Sequence, residues 1–202
     1  VDNRLDSKTD PDFSSMIDAY SATVREKMSE VIGYCPRAIR KGQPESPLGN
    51  ITGDGLIWMA KEYFNVDADV SIYNSGGIRA EISKGNLTLG DIYAVYPFDN
   101  TLSLVTMKGK DLRNLFEYVA ANGGLPINAG VRLVISDGKV KSVTVGGNQI
   151  ENDRTYTIAT IDYLAEGNDG MSTLRDGTER RLFDTLTLRQ VVTNYIVEQT
   201  KQ

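Results

Sequence analysis

The chain has 202 residues, with 22 Lys+Arg against 27 Asp+Glu, no histidine and a formal net charge of -5. An acidic chain without a clustered basic stretch cannot neutralise many phosphates, which argues against nucleic-acid binding while leaving a single phosphate group within reach. Without histidine there is no Ser-His-Asp triad and no imidazole metal ligand, and with Cys35 alone there is neither an internal disulfide nor a Cys-rich zinc site.

Hydrophobic residues make up 40% and charged residues 24%, the balance of a globular domain. No apolar run approaches the roughly 20 residues of a membrane span, and no loop has EF-hand spacing. The chain begins at Val1, which reads as a mature or trimmed product. Residues 1–11 are polar and aperiodic and end in proline, as in an extended leader. Phe13, Met16, Ile17, Tyr20, Val24, Met28, Val31 and Ile32 then recur at helical spacing before Gly33, predicting an amphipathic helix with one buried face. Residues 36–47 form a proline-bearing connection with a basic start at Arg37, Arg40 and Lys41.

A second helix should begin near Leu48, with Leu48, Ile51, Gly55, Trp58 and Met59 on its apolar face. Gly53 and Gly55 within it point to something packed closely. Strands are predicted near 69–73, 92–96 and 101–107, and a helix over about 110–121 with Leu112, Leu115, Phe116 and Val119 buried. Asp137-Gly138 predicts a hairpin joining Val131–Ile135 to Lys139–Val145. A strand over 155–161 runs into a loop, and a last helix from about Leu188 is announced by the capping-box spacing of Thr187 and Gln190. This mixture of helices, a hairpin and longer crossovers is that of an α+β domain.

Three segments could carry chemistry. Asn74-Ser75-Gly76-Gly77-Ile78-Arg79 follows an apolar strand, and its glycines permit close backbone approach while Arg79 can fork onto a phosphate or carboxylate. Tyr96-Pro97-Phe98-Asp99-Asn100 places a ring beside turn residues, where it can act as a stacking platform. Residues 162–170 (DYLAEGNDG) put Tyr163 ahead of a turn whose Asp169 can accept two hydrogen bonds from a sugar diol. Taken singly, each is better read as a plain turn with a surface arginine or as a core-capping ring. Together they offer two rings, an arginine, an amide and a carboxylate, an inventory suited to a nucleoside. It contains no evident activated nucleophile, base or metal cage.

In order and spacing these segments resemble the C-terminal domain of the 5'-nucleotidase family. ESPLGNITGD at 45–54 is similar to that family's helix start, and the likeness continues through MKGKDLRNLFE at 107–117. The resemblance implies a four-layer α/β/β/α domain with mixed sheets over 36–202, preceded by a leader and an interdomain linker-type helix over 1–35. It implies that Phe98 and Tyr163 sandwich the base, Asn74 touches its edge, Arg79 reaches the phosphate or ribose side and Asp169 holds the ribose hydroxyls, with Gly76 and Gly77 allowing close approach. It also implies a separate metallophosphoesterase domain or subunit that carries the divalent metals and performs hydrolysis, so this chain is expected to hold no cofactor of its own and to be inactive alone. A periplasmic or extracellular location follows from the same likeness. The other reading is a non-catalytic nucleoside-binding or surface interaction module. Ser75, Tyr163 and Asn168 depart from the family pattern, which has glycine, phenylalanine and glycine there. A second family arginine aligns with Gly42, beside Arg40 and Lys41, and its role is unassigned.

Overall fold

The computed structural model describes residues 11–199, with side chains from Ile17 and Tyr20 onward. The expected leader lies, apart from Pro11, outside the described residues, as do the side chains of Phe13 and Met16. Helix α1 spans Pro11–Met28 and ends before the predicted stop at Gly33. Ser29 turns the chain by donating its hydroxyl to the Glu26 carbonyl. The β-branched pair Val31 and Ile32 then goes extended as β1 (Val31–Cys35). The expected buried face of α1 is also corrected. Ile17, Tyr20 and Val24 are exposed, Tyr20 to 74%. The last turn meets the domain, with the Met28 carbonyl lying 2.9 Å from where a Cβ on Gly90 would stand.

Helix α2 (Pro47–Phe64) starts where expected. Ser46 caps it, its hydroxyl accepting from Gly49 N–H, and Pro47 occupies the first turn, where no N–H is needed. Leu48, Gly55 and Met59 are buried as expected, Ile51 and Trp58 half-buried. The close packing foreseen at Gly53 is present: a Cβ there would stand 2.5 Å from the Ile127 carbonyl carbon.

The strand expected over 69–73 narrows to β2 (Val70–Ser71). A short β3 (Gly85–Thr88) pairs antiparallel with β1. The strand expected over 92–96 is instead helix α3 (Leu89–Val95). Thr88 and Asp91 form a reciprocal capping box, which fixes a helix start. Ile92, Val95 and Tyr96 are then buried together at helical spacing.

Strand β4 (Thr101–Lys108) and helix α4 (Gly109–Ala121) match their predicted places, and Leu112, Leu115, Phe116 and Val119 are all buried. Removing side chains of this size from water contributes about 1.5–3 kcal/mol each. The predicted hairpin is β5 (Val131–Ser136) and β6 (Lys139–Val145), closed by Asp137 and Gly138 at φ 52° and 71°. A brief β7 (Asn148–Gln149) pairs with β6. Next come β8 (Thr155–Ile161), short helices α5 (Asp162–Ala165) and α6 (Ser172–Arg175), β9 (Glu179–Thr187) and α7 (Leu188–Gln199). The expected cap holds, with Gln190 Oε1 accepting from Thr187 N–H at 2.9 Å.

The central sheet runs β2-β8-β4-β9, with β2 parallel to β8 and the other pairs antiparallel. Beside it lie the β1-β3 pair and the β5-β6-β7 sheet. α2 and α7 pack on one another and against the central strands, while α4 serves both the central sheet and β6. β4 and β8 are buried along nearly their whole length. This is the mixed layered α/β fold expected. Its consequence for function is positional: β2 and β8 are parallel neighbours, so the segments leaving their C-terminal ends, at residues 74 and 162, emerge side by side.

Two buried tyrosines set a pH limit. Burial pushes the hydroxyls of Tyr73 and Tyr96 well above the ordinary tyrosine value, in Tyr73 with help from Tyr96, while Tyr96 is partly compensated by a 2.7 Å hydrogen bond with Thr52. In the unfolded chain both ionise near pH 10. Their contribution to stability is therefore complete below about pH 10 and lost as pH rises toward the folded values. Urea midpoints should hold level from pH 7 to 9 and fall above 10. A midpoint that stays level through pH 11 would contradict the burial of these hydroxyls.

Candidate binding cleft

Three strand or helix exits build one cleft. After β2, Tyr73 turns inward, nearly fully buried, and Asn74 leads into a 3-10 turn over Ser75–Gly77. Gly77 lies directly on the Tyr73 ring, where a Cβ would stand 2.2 Å from the hydroxyl oxygen. The turn is closed by Gly77 N–H donating to the Asn74 carbonyl, and Arg79 N–H ties the exit to the end of α3 through Val95.

After α3, Pro97 and Phe98 carry the chain to β4, and after β8 the short α5 presents Tyr163. A second 3-10 turn, Asn168–Gly170, then brings back Asp169 at φ 51°, in the left-handed region that aspartate tolerates better than most residues.

All seven residues singled out in the sequence line this cleft of about 340 Å3: Asn74, Gly76, Gly77, Arg79, Phe98, Tyr163 and Asp169. Asn100 is the eighth lining residue. Phe98 and Tyr163 are 43% and 40% exposed, so neither ring is closed into the core. Arg79 lies 5.3 Å from the Phe98 ring centroid, a cation-π distance that holds its guanidinium at the rim.

Asp169 is the hub. Tyr163 donates its hydroxyl to Oδ1 at 2.9 Å, Asn74 donates Nδ2 to Oδ2 at 2.6 Å, and the Tyr118 hydroxyl donates to the Asp169 carbonyl. The hydrogen bond to Asp169 is the main cause that pushes the Tyr163 hydroxyl up, with burial and the negative charge adding to it. Asn74 Oδ1, turned away from the carboxylate, is buried without a partner. A buried acceptor in that state is satisfied only by an incoming donor or water.

Residues outside the sequence expectation hold this geometry. Asp162 Oδ1 accepts from Asn100 Nδ2, Thr101 N–H and Tyr163 N–H, binding the two ring-bearing segments together. Arg189, on the first turn of α7 and only 9% exposed, donates to the carbonyls of Tyr96 at 3.0 Å and Phe98 at 2.8 Å. It also pairs with Asp99 and lies 4.4 Å from the Tyr93 ring centroid. Asn168, one of the departures, donates its amide to the Tyr163 carbonyl at 2.9 Å and so braces the turn. Ser75, another, buries a hydroxyl oxygen that has no partner. Lys41 donates to the Ile78 carbonyl at 2.9 Å and lines an adjacent hollow that shares Gly76 with the cleft.

Arg189→Ala should destabilise the domain by about 2–3 kcal/mol, because two carbonyls and a carboxylate lose a charged donor together. Chemical denaturation measures this. A loss under about 0.5 kcal/mol, within the range of an ordinary surface substitution, would show that the Phe98 segment is held by other means.

The charged groups present do not fit a dimetal centre. The sequence lacks histidine, and among the described residues no three His, Cys, Asp or Glu side chains are grouped to hold an ion. Asp54 accepts from Ala129 N–H, Asp99 serves Arg189, and Asp169 serves Tyr163 and Asn74. A larger hollow of about 710 Å3 runs along β5 beside the start of α2, but no aromatic residue lines it. Chemistry rather than volume therefore favours the smaller cleft.

Residues 27–176 match the family described as 5'-nucleotidase, C-terminal domain. The chain is 30% identical over 193 residues to the trifunctional nucleotide phosphoesterase protein YfkN of Bacillus subtilis (strain 168), covering 85% of this chain and 13% of that protein. It is 35% identical over 113 residues to a 5'-nucleotidase of Vibrio cholerae, covering 54% of this chain and 20% of the other. The structure of a 5'-nucleotidase precursor from Thermus thermophilus superposes with a TM-score of 0.77 at 27% identity, over 93% of this chain and 40% of that one. The chain thus spans only a minor part of each of these relatives.

Proposed function

We propose that this chain, which belongs to the family of 5'-nucleotidase C-terminal domains, uses its cleft to bind the nucleoside part of a nucleotide whose phosphoester is hydrolysed by a separate dimetal domain or subunit. One observation carries the reading: two half-exposed rings, Phe98 and Tyr163, share a cleft with a carboxylate, an amide and a guanidinium. Rings of this kind stack a planar base without regard to sequence, at a strength that positions a substrate without chemical work. Asp169 is suited to a ribose diol, the Asn74 amide to the base edge, and Arg79 to a phosphate at the rim.

Hydrolysis falls to the partner because the cleft holds no activated nucleophile and no grouping of metal ligands among the described residues. The exposed apolar stripe of α1 at Ile17, Tyr20 and Val24 supports a partner surface. A location outside the cytoplasm follows from the family resemblance and is checked by cell fractionation.

Calorimetric titration with adenosine, AMP and UMP, alongside phosphate release in excess Mg2+, Mn2+ or Zn2+, tests the proposal. Binding in the micromolar to low-millimolar range without release is the expected result. Metal-dependent release by pure protein, abolished by a chelator, would overturn the assignment of hydrolysis to a partner.

A further inference from the structure

We infer that the hydroxyl of Tyr163, separately from its ring, fixes the orientation of the Asp169 carboxylate and thereby makes the cleft selective for ligands that carry a vicinal cis-diol. The inference rests on the nucleoside reading above. A carboxylate offers about four lone-pair positions, two on each oxygen. In this cleft one position on Oδ1 is taken by the Tyr163 hydroxyl and one on Oδ2 by Asn74 Nδ2. One acceptor site is left on each oxygen, the pair that two adjacent hydroxyl donors need.

The backbone beneath the carboxylate is held as well, by the Tyr118 hydroxyl on the Asp169 carbonyl and by the Asn168 amide on the Tyr163 carbonyl. What is left to turn is the side chain, and its two restraints are unequal. Asn74 grips one oxygen from across the cleft, whereas Tyr163 grips the other from the same loop, six residues away. Without the tyrosine hydroxyl, Oδ1 faces open cleft and the carboxylate can pivot about the Asn74 contact. Like any tyrosine, Tyr163 keeps its hydroxyl proton throughout the neutral range, and the hydrogen bond to Asp169 pushes its loss further up. A phenylalanine at this position would stack equally but leave Oδ1 without this restraint.

The test compares adenosine with 2',3'-dideoxyadenosine, which presents the same base without the diol, by calorimetric titration of the full chain. Wild-type protein should prefer adenosine, and Tyr163→Phe should reduce that preference about fivefold, the effect of one well-made hydrogen bond. Asp169→Asn should abolish it. A preference unchanged in Tyr163→Phe would overturn the inference, and a larger one would show that the hydroxyl competes with the diol. A general structural fault would weaken both ligands together and leave the ratio in place, which also counts against it. If wild-type protein binds neither ligand, the nucleoside reading itself fails first, and the two failures are distinct.

Discussion

Phe98→Ala and Tyr163→Ala should each weaken adenosine binding about five- to 100-fold, and the double variant should show no saturable binding at millimolar ligand. The magnitude is that of losing one face of a base-stacking platform. Tyr163→Ala should lie at the upper end, since it also removes the donor to Asp169 Oδ1. Phe98→Ala additionally frees the Arg79 guanidinium from the ring on which it rests. Both side chains are exposed at the cleft, so melting temperatures should shift by only a few degrees. Titration calorimetry and thermal melts on the same preparations separate the two effects. Unchanged affinity in both single variants would remove the ring pair from the site.

Gly77→Ala is expected to damage stability and binding together. The added methyl would overlap the Tyr73 ring, with hydroxyl oxygen, Cζ and Cε1 at 2.2, 2.5 and 2.7 Å. Tyr73 cannot swing aside, being 1% exposed and packed edge-on to Tyr96. The turn carrying Asn74 must move instead. Overpacking of this kind costs about 1–3 kcal/mol. Displacing Asn74 also frees Asp169 Oδ2, so adenosine affinity should fall at least tenfold. Gly76→Ala is the control for stability alone, because a Cβ there meets only Asn74 Nδ2 at 3.9 Å. Equal melting temperatures for the Gly77 variant and wild type would show that the turn tolerates the methyl and that the contact does not constrain it.

These expectations rest on an arrangement only partly legible in the sequence. Asp137-Gly138 announces its hairpin because that pair favours the positive φ the turn needs, and the buried stripe of α4 declares itself by spacing. The three motif segments can be read as one ligand inventory because each follows a secondary element and carries ligand-suited groups. That they line a single cleft is a property of the parallel β2-β8 pairing, which no local pattern reveals.

The misreadings have equally local causes. Residues 92–96 are apolar enough to pass for a buried strand, and only the Thr88-Asp91 capping box, present in the sequence, signals a helix. Val31 and Ile32 fit a helical period by coincidence and are extended by β-branching. β9 is largely exposed and lacks alternation, so no periodic pattern marks it. The stripe on α1 is legible as apolar, but periodicity states that a face is apolar without naming what covers it. Arg189 escapes notice for another reason. Its partners Tyr96, Phe98 and Asp99 lie 90 to 93 residues away, and nothing near position 189 distinguishes it from a helix-surface arginine.

The most direct test of the central claim is a crystal structure of the chain grown with saturating adenosine. The base should lie between Phe98 and Tyr163, with both ribose hydroxyls on Asp169 and the base edge at Asn74. An ordered nucleoside elsewhere, for example in the hollow along β5, with the ring pair empty, would contradict the assignment of this cleft.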